Sequence, residues 1–223
     1  MADDTSATSA DGTGPGDERE ETERPTVTPA RPDSPIQTTG TDHVTVWGSN
    51  EEDTLAFYRD LLGMPLVLRQ PNLDDPSQTH LFFDTGDDRI LTVFVGDRSS
   101  AAGQRVSTGA VHHLCFSVAP DDFQETMDAL EADGRGYNVF DRGVFLSLYT
   151  QDNNGLVIEL TTDKYDTPDG ERGAVLATAQ RLCEADEAEF AEDEHLKAAL
   201  AEHGFDDTPN DLPEAPSGVG GVE

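Results

Sequence analysis

Apolar and polar positions along the chain switch between strand and helix periods in an order that occurs twice. DHVTVWG (42–48) alternates as a strand, and EEDTLAFYRDLLG (51–63) sets Leu55, Tyr58, Leu61 and Leu62 on one helical face before Gly63 stops it. Three strand-like runs follow: MPLVLRQ (64–70), THLFFDT (79–85) and RILTVFVG (89–96). The order then returns. VHHLCFSV (111–118) alternates, and DDFQETMDALEADG (121–134) predicts a helix capped by Asp121 with Phe123, Met127 and Leu130 inward. YNVFDRG (137–143), VFLSLYTQD (144–152) and GLVIELTTD (155–163) supply three last strands. The pattern predicts an α+β fold of two βαβββ modules, 41–97 and 110–163, within a domain spanning 38–168. A repeat of roughly 65–70 residues is too long for a solenoid and suits a duplicated module.

The flanks read differently. Residues 1–37 hold Val27 and Ile36 as almost their only large apolar side chains, too few to offset the entropy of ordering, so an acidic disordered tail is expected. Residues 206–223 read the same way. Between domain and end, AVLATAQRLCEADEAEFAEDEHLKAAL (174–200) predicts one or two acidic amphipathic helices in an extension over 169–205. These helices could cover the domain or reach a partner subunit, so a homodimer is compatible with them.

Charge narrows the partners. There are 46 acidic residues against 14 basic ones, a net charge of -32, and the only lysines are Lys164 and Lys197. Acid is spread through the expected domain as well as its ends, the surface of a halophilic protein that relies on salt screening. No basic patch is present to neutralise phosphates, so nucleic acid is not an expected partner. No apolar run approaches the ~18 residues of a membrane span. The N-terminal stretch lacks a basic segment followed by an apolar one, so a cytoplasmic protein is expected. Cys115 and Cys183 are too few for a disulfide framework and read as reduced packing residues.

Candidate chemistry comes from superposing the modules. Asp42-His43-Val44-Thr45-Val46 falls on His112-His113-Leu114-Cys115-Phe116, so each first strand carries a histidine at its second position. Alternation puts His43 and Thr45 on one face, and His113 and Cys115 on the matching one. Pseudo-symmetric pairing of the modules would bring the two histidines towards each other. Glu159 stands among Val157, Ile158 and Leu160, where an unpaired carboxylate would be costly. Two imidazoles and a carboxylate, with open positions left, suit non-haem Fe(II); Mn(II) accepts the same set. Singly, each residue would more often be ordinary strand core or surface; together, at equivalent repeat positions, they point to a metal. His80 is read as lining or structural, and His195 and His203 as exposed.

The stretches DHVTVWGSNEEDTLAFYRDLLGMPLVLRQPNLDDPSQTHLFFD, VHHLCFSV and DRGVFLSLYTQDNNGLVIELTTD resemble the vicinal oxygen chelate superfamily of glyoxalases, bleomycin-resistance proteins and extradiol dioxygenases. Within it, they are most similar to enzymes that cleave hydroquinone-type rings. The resemblance covers about 42–168 and implies metal ligands at His43, His113 and Glu159. It further implies supporting roles for Thr45, His112, Arg142 and Tyr149, with His112 as acid/base, Tyr149 as hydrogen-bond donor and Arg142 facing an anionic oxygen. The ring-cleaving enzymes usually have four modules, whereas this chain has two. The expected activity is Fe(II)-dependent ring cleavage of a catechol or hydroquinone by O2. The alternatives are a glyoxalase-like lyase or isomerase and a non-catalytic binding protein. A lyase usually has a further ligand on the first module's last strand, where Thr92, Val93 and Phe94 offer none. Strict alternation turns His112 away from His113, so its role needs a twist at the strand end.

Overall fold

In the computed structural model, which describes residues 26–96 and 107–215, the alternating runs become two four-stranded sheets of the same design. Residues 1–25 and 216–223 of the expected tails lie outside the described residues. The first module contains β1 (His43–Gly48), β2 (Leu66–Pro71), β3 (Thr79–Asp84) and β4 (Ile90–Val95), in the spatial order β1-β4-β3-β2. The second contains β5 (Leu114–Ser117), β6 (Asn138–Asp141), β7 (Phe145–Gln151) and β8 (Val157–Asp163), in the order β5-β8-β7-β6. In both, the first strand pairs parallel with the last and the other pairs are antiparallel. The α+β class and the paired βαβββ modules are thus observed.

Alternation decides which side chains reach the core. In β1, Val44 and Val46 turn inward while His43, Thr45 and Trp47 stay exposed. In β5, Leu114 and Phe116 turn inward and leave Cys115 and Ser117 exposed. Each sheet therefore has an apolar face and an opposite face that is open at its first strand, while the central strands of the second module are buried on both sides. The apolar faces share one core, in which Leu81, Phe83 and Val93 of the first module join Leu148, Ile158 and Leu130 of the second.

The helices depart from expectation in detail. The first, α1, starts at Glu51 with Asn50 as cap, its side chain accepting from Asp53 N at 2.8 Å. It is α-helical only to Thr54; Leu55–Leu61 is π-helical, ending with Leu62 N donating to Phe57 O. The wider turn buries Phe57 as well as Tyr58, while Leu55, Leu61 and Leu62 are half-buried around them. Tyr58 donates to Asp152 at 3.0 Å, Ser49 N to Asn154 at 2.9 Å, and Arg135 lies over the Phe57 ring, so this helix joins the modules. The second helix, α2 (Phe123–Ala132), buries Phe123, Met127 and Leu130 as expected. Its lead-in is a short 3-10 turn, Pro120–Asp122, and Asp121 does not cap it; proline at the first position sets that turn instead.

The extension forms α3 (Arg172–Ala185) and α4 (Asp193–His203) around Val175, Ala179, Leu196 and Leu200. His195, expected to be exposed, is 3% exposed: its Nδ1 accepts from Glu192 N in a capping box that composition does not reveal. His203 is exposed. Residues 206–215, read from composition as tail, run against the fold. Asn210 N donates to Lys164 O at 2.8 Å, and Leu212 and Ala215 pack on the main core. A few well-placed contacts suffice here, and a composition average hides them. Among the described residues, no helix is long and apolar enough to cross a membrane.

Candidate metal centre

The second module's open face carries a connected polar cluster. Glu159 sits in the middle of β8, opposite Cys115 of β5 on one side and Tyr149 of β7 on the other. Its carboxylate is 5% exposed. Tyr149 Oη donates to Oε1 at 2.7 Å, and His113 Nε2 lies 2.7 Å from Oε2. A buried carboxylate with a phenol and an imidazole as partners is well hydrogen-bonded, and a carboxylate beside an imidazole is a donor pair of the kind that binds divalent cations.

His112 joins this cluster. It lies before β5 begins, so it escapes strict alternation, and its Nδ1 comes within 2.7 Å of His113 Nδ1. If His113 Nε2–H donates to Glu159, neutral His113 must accept at Nδ1, and His112 Nδ1–H is then the donor. Arg142 follows β6 and places its guanidinium 4.9 Å from the Phe140 ring centre and 5.2 Å from that of Tyr149. Asp141 beside it accepts from Lys164 at both carboxylate oxygens, at 3.0 and 2.9 Å. Burial, then the hydrogen bond to Glu159, pushes the Tyr149 phenol up, while a hydrogen bond from Arg142 pulls the other way.

Cys115, read as a reduced packing residue on the His113 face, stands on that face as a free thiol. Its Sγ is 3.5 Å from Thr161 Oγ1, and burial of the thiol, with Glu159 beside it, raises it to about 11. Both cysteines are unpaired thiols, and Cys183 is buried.

The first module offers a matching but different face. His43 is about half exposed, with Nδ1 2.6 Å from Asp42 Oδ1. Thr45 accepts from Thr92 at 2.8 Å. Thr92 pairs with Thr45 as Glu159 pairs with Cys115, so the first module has threonine where the second has its carboxylate. His80 lies between Phe82 and Phe94, at ring-centre distances of 4.0 and 4.3 Å, and Trp47 adds a further ring 5.2 Å from Phe94. Burial, and then nearby His43, hold the His80 imidazole below its ordinary range; its Nε2 has no hydrogen-bond partner among the described residues.

Of the three expected ligands, the structure brings together two. The His113–Glu159 separation of 2.7 Å is near the ~3 Å between donors at right angles on an ion with ~2.1 Å bonds. That donor pair fits a divalent metal. His43 faces Asp42 instead, and among the described residues no three His, Cys, Asp or Glu side chains form a cluster that could hold an ion. Sequence reading did not find Thr92 as the specific counterpart of Glu159, nor the ring cluster of Trp47, Phe82 and Phe94. Alternation from His43 reaches Trp47, but placing Phe94 beside it requires the cross-strand register.

Comparison with known proteins follows the geometry. The profile of the Glyoxalase/Bleomycin resistance protein/Dioxygenase superfamily matches residues 40–160. A Bacillus subtilis (strain 168) protein named "Putative ring-cleaving dioxygenase MhqE" is 31% identical over 101 residues, 44% of this chain and 33% of its own. The chain thus spans about a third of that relative's length. The crystal structure of a B. subtilis dioxygenase, titled putative, superposes with a TM-score of 0.51 at 24% identity, covering 58% of this chain and 42% of that one. A glyoxylase/bleomycin resistance protein/dioxygenase domain from Frankia sp. EAN1pec also gives 0.51, at 14% identity, covering 57% of this chain and 99% of that domain. At these identities the two structures speak for the fold alone.

Proposed function

The chain belongs to the glyoxalase/bleomycin resistance protein/dioxygenase superfamily, and on that premise we propose that it is an Fe(II)-dependent dioxygenase that opens a catechol- or hydroquinone-like ring. The observation that carries the reading is the buried Glu159 carboxylate held between Tyr149 and His113, with His112 and Arg142 around it. In this reading His113 and Glu159 hold the ion, and His43 turns from Asp42 to complete the set. When bound, a divalent iron would lower the pKa of a phenol and link it electronically to O2. The chain's own groups do the rest. Tyr149 keeps Glu159 in one orientation through its 2.7 Å hydrogen bond. His112, paired to His113, can take the phenolic proton and return one to the opening ring. Arg142 presents positive charge over the Tyr149 ring, where an anionic oxygen of the substrate would be favoured. Thr45, fixed by Thr92, supplies a hydroxyl beside His43.

One observation weighs against the lyase reading: the position equivalent to Glu159 in the first module is Thr92, not a further carboxylate or imidazole, so in this reading three ligands leave room for two oxygen donors. Anaerobic loading with Fe(II), metal analysis and an O2-electrode screen of catechols and hydroquinones test the proposal. Iron near one per chain and phenol-dependent O2 uptake are expected. Turnover that proceeds without O2 would establish a lyase, and tight phenol binding with no metal would establish a binding protein.

A further inference from the structure

Lys164, one of two lysines in the chain, follows β8 where the domain hands over to the extension. Its ammonium donates to both oxygens of Asp141 at 3.0 and 2.9 Å and to Gly143 O at 3.2 Å. The same Nζ forms an ion pair with Asp193 Oδ1 at 2.5 Å. Asp141 and Gly143 flank Arg142, and Asp193 is the first residue of α4, so one cation grips the β6–β7 turn and the helical extension together. The lysine side chain is 14% exposed, with Asp141 at 24% and Asp193 at 50%, so the Asp141 half of the contact is the more sheltered.

The opposite side of the turn is equally close. Gly143 has φ 83°, and a Cβ there would lie 2.6 Å from Ala191 O, so the loop entering α4 rests directly on the turn. Asp141 Oδ1 also accepts from Gly143 N at 2.8 Å. Arg142 is the side chain this turn projects over Tyr149, and Tyr149 holds Glu159. The apolar cluster of Tyr165, Val175, Leu196 and Leu200 already packs α3 on α4, so the polar contacts are not needed to assemble the helices.

The geometry points to Lys164 as a positioning residue: with Asp141 and Asp193 it clasps the C-terminal helices onto the β6–β7 turn and fixes Arg142 over Tyr149. The extension, which lies beyond the matched residues 40–160, thereby sets the geometry of the Glu159 site. Its effect on turnover rests on the proposed function; the clasp itself does not.

The test uses the full chain with Lys164→Met, Lys164→Arg and Asp193→Asn. Hydrogen exchange is read at the amides of Arg142, which donates to Phe145 O, and of Gly143; steady-state O2 uptake and iron content are read in parallel. Lys164→Met should speed exchange at those two amides about tenfold while α3 and α4 keep their protection. It should lower kcat about tenfold with iron content unchanged, and Lys164→Arg should recover most of the loss. Asp193→Asn should shift the same two amides in the same direction by less, and it carries the comparison if Lys164→Met does not fold. Exchange at Arg142 and Gly143 equal to wild type would overturn the clasp. A rise spread evenly over the turn, α3 and α4 would do so too, because it marks a merely structural pair. Absence of O2 uptake in the wild type would sink the dioxygenase reading and leave the exchange comparison to decide the clasp.

Discussion

Glu159 is the residue on which the chemistry turns, because its carboxylate is buried and its partners are a phenol and an imidazole. Alanine at His43, His113 or Glu159 should each empty the iron site in metal analysis. Singles should cost nearly as much as the triple change, since ligands of one ion act as a unit. His43→Ala is the informative member, because His43 faces Asp42 rather than the other two. If that variant retains wild-type iron, the three-ligand proposal is wrong. Tyr149→Phe removes the 2.7 Å hydrogen bond to Glu159 but no ligand. It should keep most of the iron and slow turnover roughly 10–100-fold, the usual range for a group that orients a ligand. His112→Ala should behave likewise, with stopped-flow O2 consumption as the measurement.

Among the elements, α2 and the π-helical second half of α1 hold the two sheets on a common core. Leu130 of α2 is 1% exposed and touches that core, whereas Leu176 of α3 is 37% exposed. Leu130→Ala should therefore cost about 2–5 kcal/mol in denaturant unfolding, from lost transfer energy and the cavity left behind. Leu176→Ala should stay within about 0.5 kcal/mol. Equal losses at both sites would mean that α3 is buried against something else in solution. Phe57 should resemble Leu130, since the π-turn exists to bring it inside beside Tyr58.

For the whole molecule, net charge sets the response to salt and pH. A charge of -32 opposes compaction, so the melting temperature should rise steeply between dilute buffer and molar KCl. A flat melting temperature over that range would refute the halophilic expectation. Acid acts through two opposing effects. As pH falls from about 7 towards 5, carboxylates with ordinary pKa values near 4 begin to protonate and self-repulsion declines. Dilute-buffer stability should rise there, and molar salt should suppress that rise. Below that, the hydrogen bond from Arg69 holds Glu51 under its ordinary range. A depressed carboxylate stabilises the fold above its unfolded pKa of ~4.3 and loses that contribution as pH drops through the folded value. The Glu51–Arg69 contribution should therefore fade below about pH 4, seen as a narrowing difference between wild type and Glu51→Gln in thermal melts across the acid range.

Local periodicity determined the strands, the two main helices and the duplication, because period 2 and period 3.6 are written directly in the order of apolar side chains. The same periodicity put His43 with Thr45, and His113 with Cys115, on shared faces, which is why the site could be addressed before any register was known. Tertiary structure decided what depends on partners distant in sequence. Register placed Tyr149 against Glu159 and made Thr92, rather than Val93 or Phe94, the counterpart of Glu159. Packing turned half of α1 into a π-helix, capped α4 with a buried His195, and tied residues 206–215 to the domain through Asn210 and Leu212. It also brought Lys164 to Asp141 and set Arg142 over the Tyr149 ring. Lys164, 23 residues away, reaches Asp141 because the fold brings its ammonium between Asp141 and Asp193, where two carboxylates outweigh the cost of burying it.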